Sequence, residues 1–399
     1  MLSLILTLAF LDAPPIGEQF EALKVEYTSK QAEWDRRYTG GENRLPEAKI
    51  DWAGRYRDYP AWAYAPRFLA LAEAHAGDPA ATDALFWVAD LIGSVGDRDR
   101  DLSGPLARTL EIVGRSHVDD PRVDALCRTV TTSGSMPAAA TFLQTVAERA
   151  ASPDVRGRAA LGHARFLASW REVALQPWFD RTGSAPVEQA MIDRLDPAYV
   201  RLIRTANLPA LLAEAEREFD RVKQDYGAVI ADARPGRDQT IAQVVAEERF
   251  ELLYLGVGQM APDIVGTDVD DQKFKLADYR GRVVVLTFSG NWCGPCVGMY
   301  PAERALVERY KGRPFAILSV STDSTKETLR KAIQQGDITW RCWWDGGIDG
   351  PITSAWNTRS FPTVYLIDAA GVIREKSLRG DQLDAAVARL MDPVTPAKP

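Results

Sequence analysis

The apolar positions change their period part-way along the chain. From about Gly17 to Leu255 they recur at helical spacing among charged residues, and beyond Gly256–Gly258 they gather into short runs divided by helical stretches. In the first part, Gln19–Tyr38 keeps a helical mixture until Gly40-Gly41 and Pro46 break it. Ala65–Ala76 reads as a helix with Pro66 in its first turn and Gly77 as its stop, and Ala80–Gly93 is entered through Asp78-Pro79. Leu208–Tyr226 alternates Glu214, Glu216, Arg217, Glu218, Arg221 and Lys223 with Leu211, Leu212, Phe219 and Val222, the pattern of a helix with a solvated face. Gly227–Arg237, with Pro235-Gly236, reads as a turn, and Thr240–Leu255 as the last helix of this part, carrying Val244, Val245 and Phe250.

Three of these helical stretches follow related openings: Ala74-His75-Ala76-Gly77-Asp78-Pro79, Ser116-His117-Val118-Asp119-Asp120-Pro121 and Ala150-Ala151-Ser152-Pro153. Their spacing of about 42 and about 32 residues lies in the range of helix-pair repeats, so the all-α half is either a stacked array or one irregular bundle.

After the glycines, strands are expected at Val283–Phe288, Phe315–Ser321, Thr363–Ile367 and Val372–Lys376, with a hairpin turn at Ala369-Ala370-Gly371. Helices are expected at Val297–Tyr310, Thr325–Gln334 and Gln382–Leu390. Short strands alternating with helices describe an α/β layer. A chain of 399 residues is too long for one ordinary domain. The expected division is a leader or anchor at 1–16, a helical domain at 17–255, an α/β domain at 256–392 and a tail at 393–399.

Leu2–Leu11 is apolar, with no Lys or Arg before it and Asp12 directly after. It is a candidate secretory h-region or N-terminal anchor, or else a buried helix. No other stretch reaches about 18 apolar residues, so no further membrane span is expected. The net charge of −7 with no basic cluster argues against nucleic acid or an anionic membrane as partner.

The chemistry lies in the cysteines. Cys293 and Cys296 stand two residues apart, after an apolar strand and at the head of a helical pattern, while Cys127 and Cys342 are scattered singles. Unpaired backbone N–H groups and the dipole at a helix N-terminus stabilise a thiolate, the species that attacks disulfides. Cys293 is therefore the expected attacking thiol, and Cys296, one turn on, the resolving thiol that closes the ring. A zinc site would need two more ligands nearby, and His75, His117 and His163 all lie in the helical half. Haem attachment would need a histidine where Val297 stands. No metal is expected. Cys342, among Trp340, Trp343 and Trp344, reads as a buried thiol, and Cys127 as helix core. His75 and His117 read as capping or packing residues.

Trp292-Cys293-Gly294-Pro295-Cys296 resembles the thioredoxin active site, with Pro301 at the matching helix offset and Ser360-Phe361-Pro362-Thr363 before a later strand. Ala261-Pro262-Asp263-Ile264 and Phe274–Gly281 narrow the resemblance to the TlpA/ResA-like thiol-disulfide oxidoreductases, within the redoxin group that also holds peroxiredoxins. It covers roughly Gly256 to Asp392. The resemblance implies a thioredoxin-like fold and a cis Pro362 facing the dithiol, with Phe361 contacting the substrate peptide and Trp292 shielding one side. It also implies that Gly294 and Pro295 tune the pair towards a reductant. No cofactor beyond the redox-active Cys293–Cys296 disulfide is implied. The implied partners are a disulfide-containing protein and an upstream dithiol donor; the resemblance does not reach the helical half, for which a protein partner is a separate expectation. The implied place of work is outside the cytoplasm, and a cytoplasmic one is the alternative.

Two positions depart from the family. Thr287 stands where thioredoxins bear a buried carboxylate, and Met299 fills the family's acid position after the dithiol. Glu303, two turns beyond Cys296, reads as a surface residue, with a substitute for that carboxylate as the alternative. The resulting function is a protein-disulfide oxidoreductase, most simply a reductase. One alternative is a thiol-dependent peroxidase, against which Gly290 replaces the peroxidatic threonine and Trp292 crowds the site. The other is a helical-repeat scaffold with an ancillary redox domain.

Overall fold

The computed structural model describes residues 14–40, 52–95, 100–131, 136–175, 192, 196–232 and 238–392. Leu2–Leu11, Gly41 with Pro46, the Pro235-Gly236 turn and the Val394–Pro399 tail lie outside the described residues. The chain divides into two compact units, Met1–Trp170 with Ala185–Ile241, and Arg171–Ser184 with Ala242–Pro399.

The first unit is helical. Its helices include Ile16–Tyr38, Ala61–Ala74, Pro79–Val95, Arg100–Ser116, Val123–Thr131, Pro137–Arg149, Pro197–Thr205 and Leu208–Tyr226. Ala61–Ala74 packs on Pro79–Val95, which packs on Arg100–Ser116, which packs in turn on Pro137–Arg149. The caps follow from local chemistry. Asp196 accepts the N–H groups of Ala198 and Tyr199, and Asn207 accepts that of Ala210, so two helix starts have their free donors partly satisfied. Gly162 allows a close helix approach, since a Cβ there would stand 2.6 Å from Thr131 Oγ1. The expected turn at 227–237 opens with turn residues 227–229 and then enters a strand, β1 (Ile230–Asp232), which pairs antiparallel with β2 (Gln239–Thr240). The helix expected at Thr240–Leu255 is α-helical over Ile241–Phe250 and loosens into a π-helical turn over Glu251–Leu255.

The second unit carries β3 (Val265–Thr267), β4 (Lys273–Lys275), β5 (Val283–Ser289), β6 (Phe315–Ser321), β7 (Arg341–Trp344), β8 (Thr363–Ile367) and β9 (Ile373–Lys376). β3 and β4 form a hairpin, and the other five make one sheet in the order β7-β6-β5-β8-β9. β5 runs parallel to β6 and antiparallel to β8, and β7 runs parallel to β6. All seven residues of β5 are buried, as a central strand covered on both faces requires. Side chains alternate between the faces. Val285, Ile317, Cys342 and Leu366 pack beneath the helices, against Tyr300, Leu306, Leu329 and Val387. Leu286, Phe288 and Val320 face the other way, against Trp343, Trp356 and Tyr365.

The four expected strands are present, and the hairpin β3–β4 and the edge strand β7 are additions. The helices over this sheet are Gly294–Arg309, Lys326–Gln334 and Asp381–Met391. The first starts three residues earlier than its apolar pattern, because Pro295, which has no N–H, suits a first turn whose N–H groups have no intrahelical partner. Its position is what matters here. A parallel β5-helix-β6 crossover leaves the helix N-terminus at the C-terminal edge of the central strand.

Trp356 fills the core below that edge, with its ring 5.5 Å from Phe288 and 5.2 Å from Tyr365. Trp356→Ala should destabilise the redox unit by about 3–5 kcal/mol. Denaturant unfolding followed by circular dichroism checks this, and a loss under about 1 kcal/mol would contradict the packing described.

Candidate active site

Cys293 sits at the N-cap of the Gly294–Arg309 helix, and its Sγ accepts the Cys296 N–H at 3.2 Å. The two cysteines form a disulfide with their Cα atoms 5.2 Å apart. Cys293 is 5 % exposed and Cys296 1 %, so an incoming group meets Cys293 first. On reduction, the same helix N-terminus that now points at Cys293 Sγ favours its thiolate.

The turn before the cysteines is fastened from β6. Asp323, buried just past β6, accepts the Asn291 N–H at 2.8 Å and Asn291 Nδ2 at 2.7 Å, and the Ser321 hydroxyl at 2.9 Å. Tyr300 donates its hydroxyl to Asn291 Oδ1 at 3.4 Å, and Thr322 donates to the Ser289 carbonyl through both its N–H and its hydroxyl. Sequence reasoning missed Asp323. It is 30 residues from Cys293 and belongs to no local motif, and only the parallel register of β5 with β6 brings the two together.

Trp292 is 55 % exposed and donates its Nε1–H to Thr322 Oγ1 at 3.2 Å. Its ring lies so close to Gly290 that a Cβ there would stand 2.3 Å from Nε1. The ring also meets Phe361 edge-on, with centroids 5.4 Å apart. The Phe361–Pro362 peptide is cis, and Pro362 is buried with its carbonyl accepting from Arg379 Nη2 at 3.2 Å. Trp292 thus borders an open cleft of about 670 Å³ shared with Thr322, Ser324, Ile348 and Asp349. Gly294 and Pro295 are exposed between the cysteines.

Beneath the helix the strand position of the family carboxylate is Thr287, whose Oγ1 lies 2.6 Å from Ser319 Oγ. Ser319 also accepts the Trp340 Nε1–H at 2.6 Å. Thr287, Ser319 and Cys342 stand side by side in the registers of β5, β6 and β7, a polar row on the helix-covered face. Met299 is half-buried and brings no charge.

Glu303 corrects an expectation. It is not on the surface but 2 % exposed, on the helix face that also buries Cys296, Tyr300 and Leu306. The spacing carried the signal: seven residues past Cys296 and three past Tyr300 is one helix face. Burial pushes its carboxyl from 4.5 up to about 8. The folded protein therefore keeps a proton that the unfolded chain releases, and burying Glu303 costs stability as pH rises through that interval. Cys342 is wholly buried, which pushes its thiol far above the ordinary range, and Cys127 is pushed up to about 12 for the same reason. Both lack the thiolate character of a redox cysteine.

The AhpC/TSA family matches residues 257–376, which hold the dithiol and the cis proline. The thiol-disulfide oxidoreductase ResA of Geobacillus kaustophilus (strain HTA426) is 30 % identical over 142 residues, covering 36 % of this chain and 80 % of that protein. ResA of Bacillus thuringiensis subsp. konkukian (strain 97-27) is 29 % identical over 150 residues, covering 38 % and 82 %. A solved thioredoxin domain of a thiol-disulfide oxidoreductase from Bacteroides vulgatus is 28 % identical with a TM-score of 0.33, covering 34 % of this chain and 99 % of that one. Through its C-terminal unit this chain belongs to the ResA family of thiol-disulfide oxidoreductases, enzymes of the thioredoxin superfamily.

Proposed function

We propose that the protein is a disulfide reductase acting on other proteins, with Cys293 as nucleophile and Cys296 as resolving thiol. The observation that carries this reading is the Cys293–Cys296 pair at a helix N-terminus, beside an exposed aromatic surface made by Trp292 and Phe361. In the reduced enzyme the Cys293 thiolate attacks one sulfur of a substrate disulfide, forming a mixed disulfide and releasing the first substrate thiolate. Cys296 then gives up its proton and attacks Cys293 Sγ, releasing the second substrate thiolate and closing the ring. Two electrons pass from enzyme to substrate, and an upstream dithiol donor returns them by the reverse steps.

Trp292 and Phe361 offer an angled apolar contact for the polypeptide around the target disulfide, and Pro362 holds Phe361 in place. The dithiol is the whole redox group in this reading, and no further cofactor takes part. The resemblance to TlpA/ResA-like enzymes supports work outside the cytoplasm, and the helical unit is the half available to a protein partner. No helix among the described residues is long and apolar enough to cross a membrane.

Turnover of a protein disulfide, coupled to a chemical dithiol, tests this. Cys293→Ser should abolish it, and Cys296→Ser should accumulate a mixed disulfide visible by mass spectrometry under non-reducing conditions. Undiminished turnover by Cys293→Ser would overturn the reading. Asp323→Ala leaves the half-buried Asn291 and buried Ser321 donors without their acceptor, and should cost about 2–4 kcal/mol in the redox unit. Thermal unfolding of the oxidised protein measures it, and an unchanged midpoint would show that the turn holds without Asp323.

A further inference from the structure

Four carboxyl groups in the redox unit are nearly closed to solvent, and three have evident work. Asp323 holds the active-site turn, Asp345 accepts the N–H groups of Ile352 and Thr353, and Glu375 pairs with Arg389. Glu303 has no hydrogen bond or ion pair among the described residues, though it is as buried as Asp323. A buried carboxyl without a partner is costly, and one beside a catalytic group is a candidate for use.

Its surroundings say what it can act on. Glu303 follows Cys296 by seven residues, almost the same helix azimuth and about 10 Å of rise. Its side chain leans back towards the helix N-terminus, which shortens that gap. The layer below holds the Thr287 and Ser319 hydroxyls, neither of which carries charge. The titratable groups sharing the layer are Tyr300 on the same helix, Cys342 on β7, and Asp323 after β6, whose field reaches both Tyr300 and Cys342. Burial keeps Tyr300 and Cys342 neutral at any working pH, and no cation among the described residues compensates Glu303, whose carboxyl burial alone pushes up. Arg304, next along the helix, points away to Asp337. On this helix face, Glu303 and Cys296 are therefore the two groups that can change charge during the reaction.

We propose that Glu303 is a positioning residue whose ionisation is coupled to that of Cys296, so that the helix face they share accepts one negative charge but not two. This rests on the dithiol reading above. When a donor thiolate attacks Cys293 Sγ, the Cys293–Cys296 bond breaks and Cys296 leaves as a thiolate, while Glu303 keeps its proton until Cys296 has gained one from solvent. When Cys296 attacks the mixed disulfide, the proton it loses goes to solvent. Neutral Glu303 favours that thiolate, and ionised Glu303 opposes it. Two groups so coupled titrate in two macroscopic steps rather than one.

Glu303→Gln keeps the shape and removes the ionisation, and is made in the full-length chain. The readout is the pH profile of mixed-disulfide resolution, a single turnover started from the reduced enzyme and a model peptide disulfide. Resolution should match wild type within about twofold at pH 6, where Glu303 is neutral, and exceed it about tenfold near pH 9, where one pK unit of coupling is a factor of ten. Cysteine-labelled NMR of the reduced wild-type protein should show Cys296 titrating in two steps, a readout that does not depend on how the variant folds. Parallel pH profiles, or a single Cys296 step in the wild type, would overturn the coupling. Loss of turnover in Cys293→Ser would still uphold the exchange mechanism, so the two ideas fail separately.

Discussion

The redox unit depends on one junction, where a strand buried on both faces passes directly into a helix. β5 has no exposed residue, so its C-terminal end is fixed by the sheet on both sides. The Gly294–Arg309 helix starts within five residues of that end, and its unsatisfied N–H groups converge on Cys293. The thiol is chemically ordinary; its position makes it reactive. Asp323 ties the intervening turn to β6, so the same parallel pairing that builds the sheet also sets the geometry around Cys293.

Polar groups around this junction fall into two kinds. Asn291, Ser321 and Asp323 satisfy one another, Thr322 donates to the Ser289 carbonyl, and together they make the turn rigid. Glu303 is different, since its burial brings no hydrogen bond and weakens the fold as pH rises towards 8. A cost of that kind on the helix face shared with the resolving cysteine is what a functional constraint looks like in a folded protein. The departures at Thr287 and Met299 belong to the same account, because they leave the layer without the carboxyl group the family supplies from elsewhere.

Much of this was legible in the sequence. β5, β6 and β8 announce themselves as apolar runs of strand length, and the Cys-Gly-Pro-Cys spacing at a strand-to-helix change declares its chemistry. β7 did not, because Arg341-Cys342-Trp343-Trp344 is short and shows no polar alternation, and only pairing with β6 makes it a strand. Asp323 escaped because its role lies across a parallel pair, where sequence distance carries no information. Glu303 was misread for another reason. A charged residue is usually solvated, and that prior outweighed a helical spacing that placed it beneath Cys296. In the helical unit the long helices were readable from period alone, whereas the small β1–β2 pairing was hidden among turn-forming residues.

The central claim is that this dithiol, held at a helix N-terminus and flanked by Gly294 and Pro295, donates electrons to protein disulfides. The reduction potential of the Cys293–Cys296 pair, equilibrated against defined dithiol buffers, tests it most directly. The account predicts a value near that of thioredoxin, about −270 mV, and a value near the strongly oxidising end, about −120 mV, would contradict it and make disulfide formation the reaction instead.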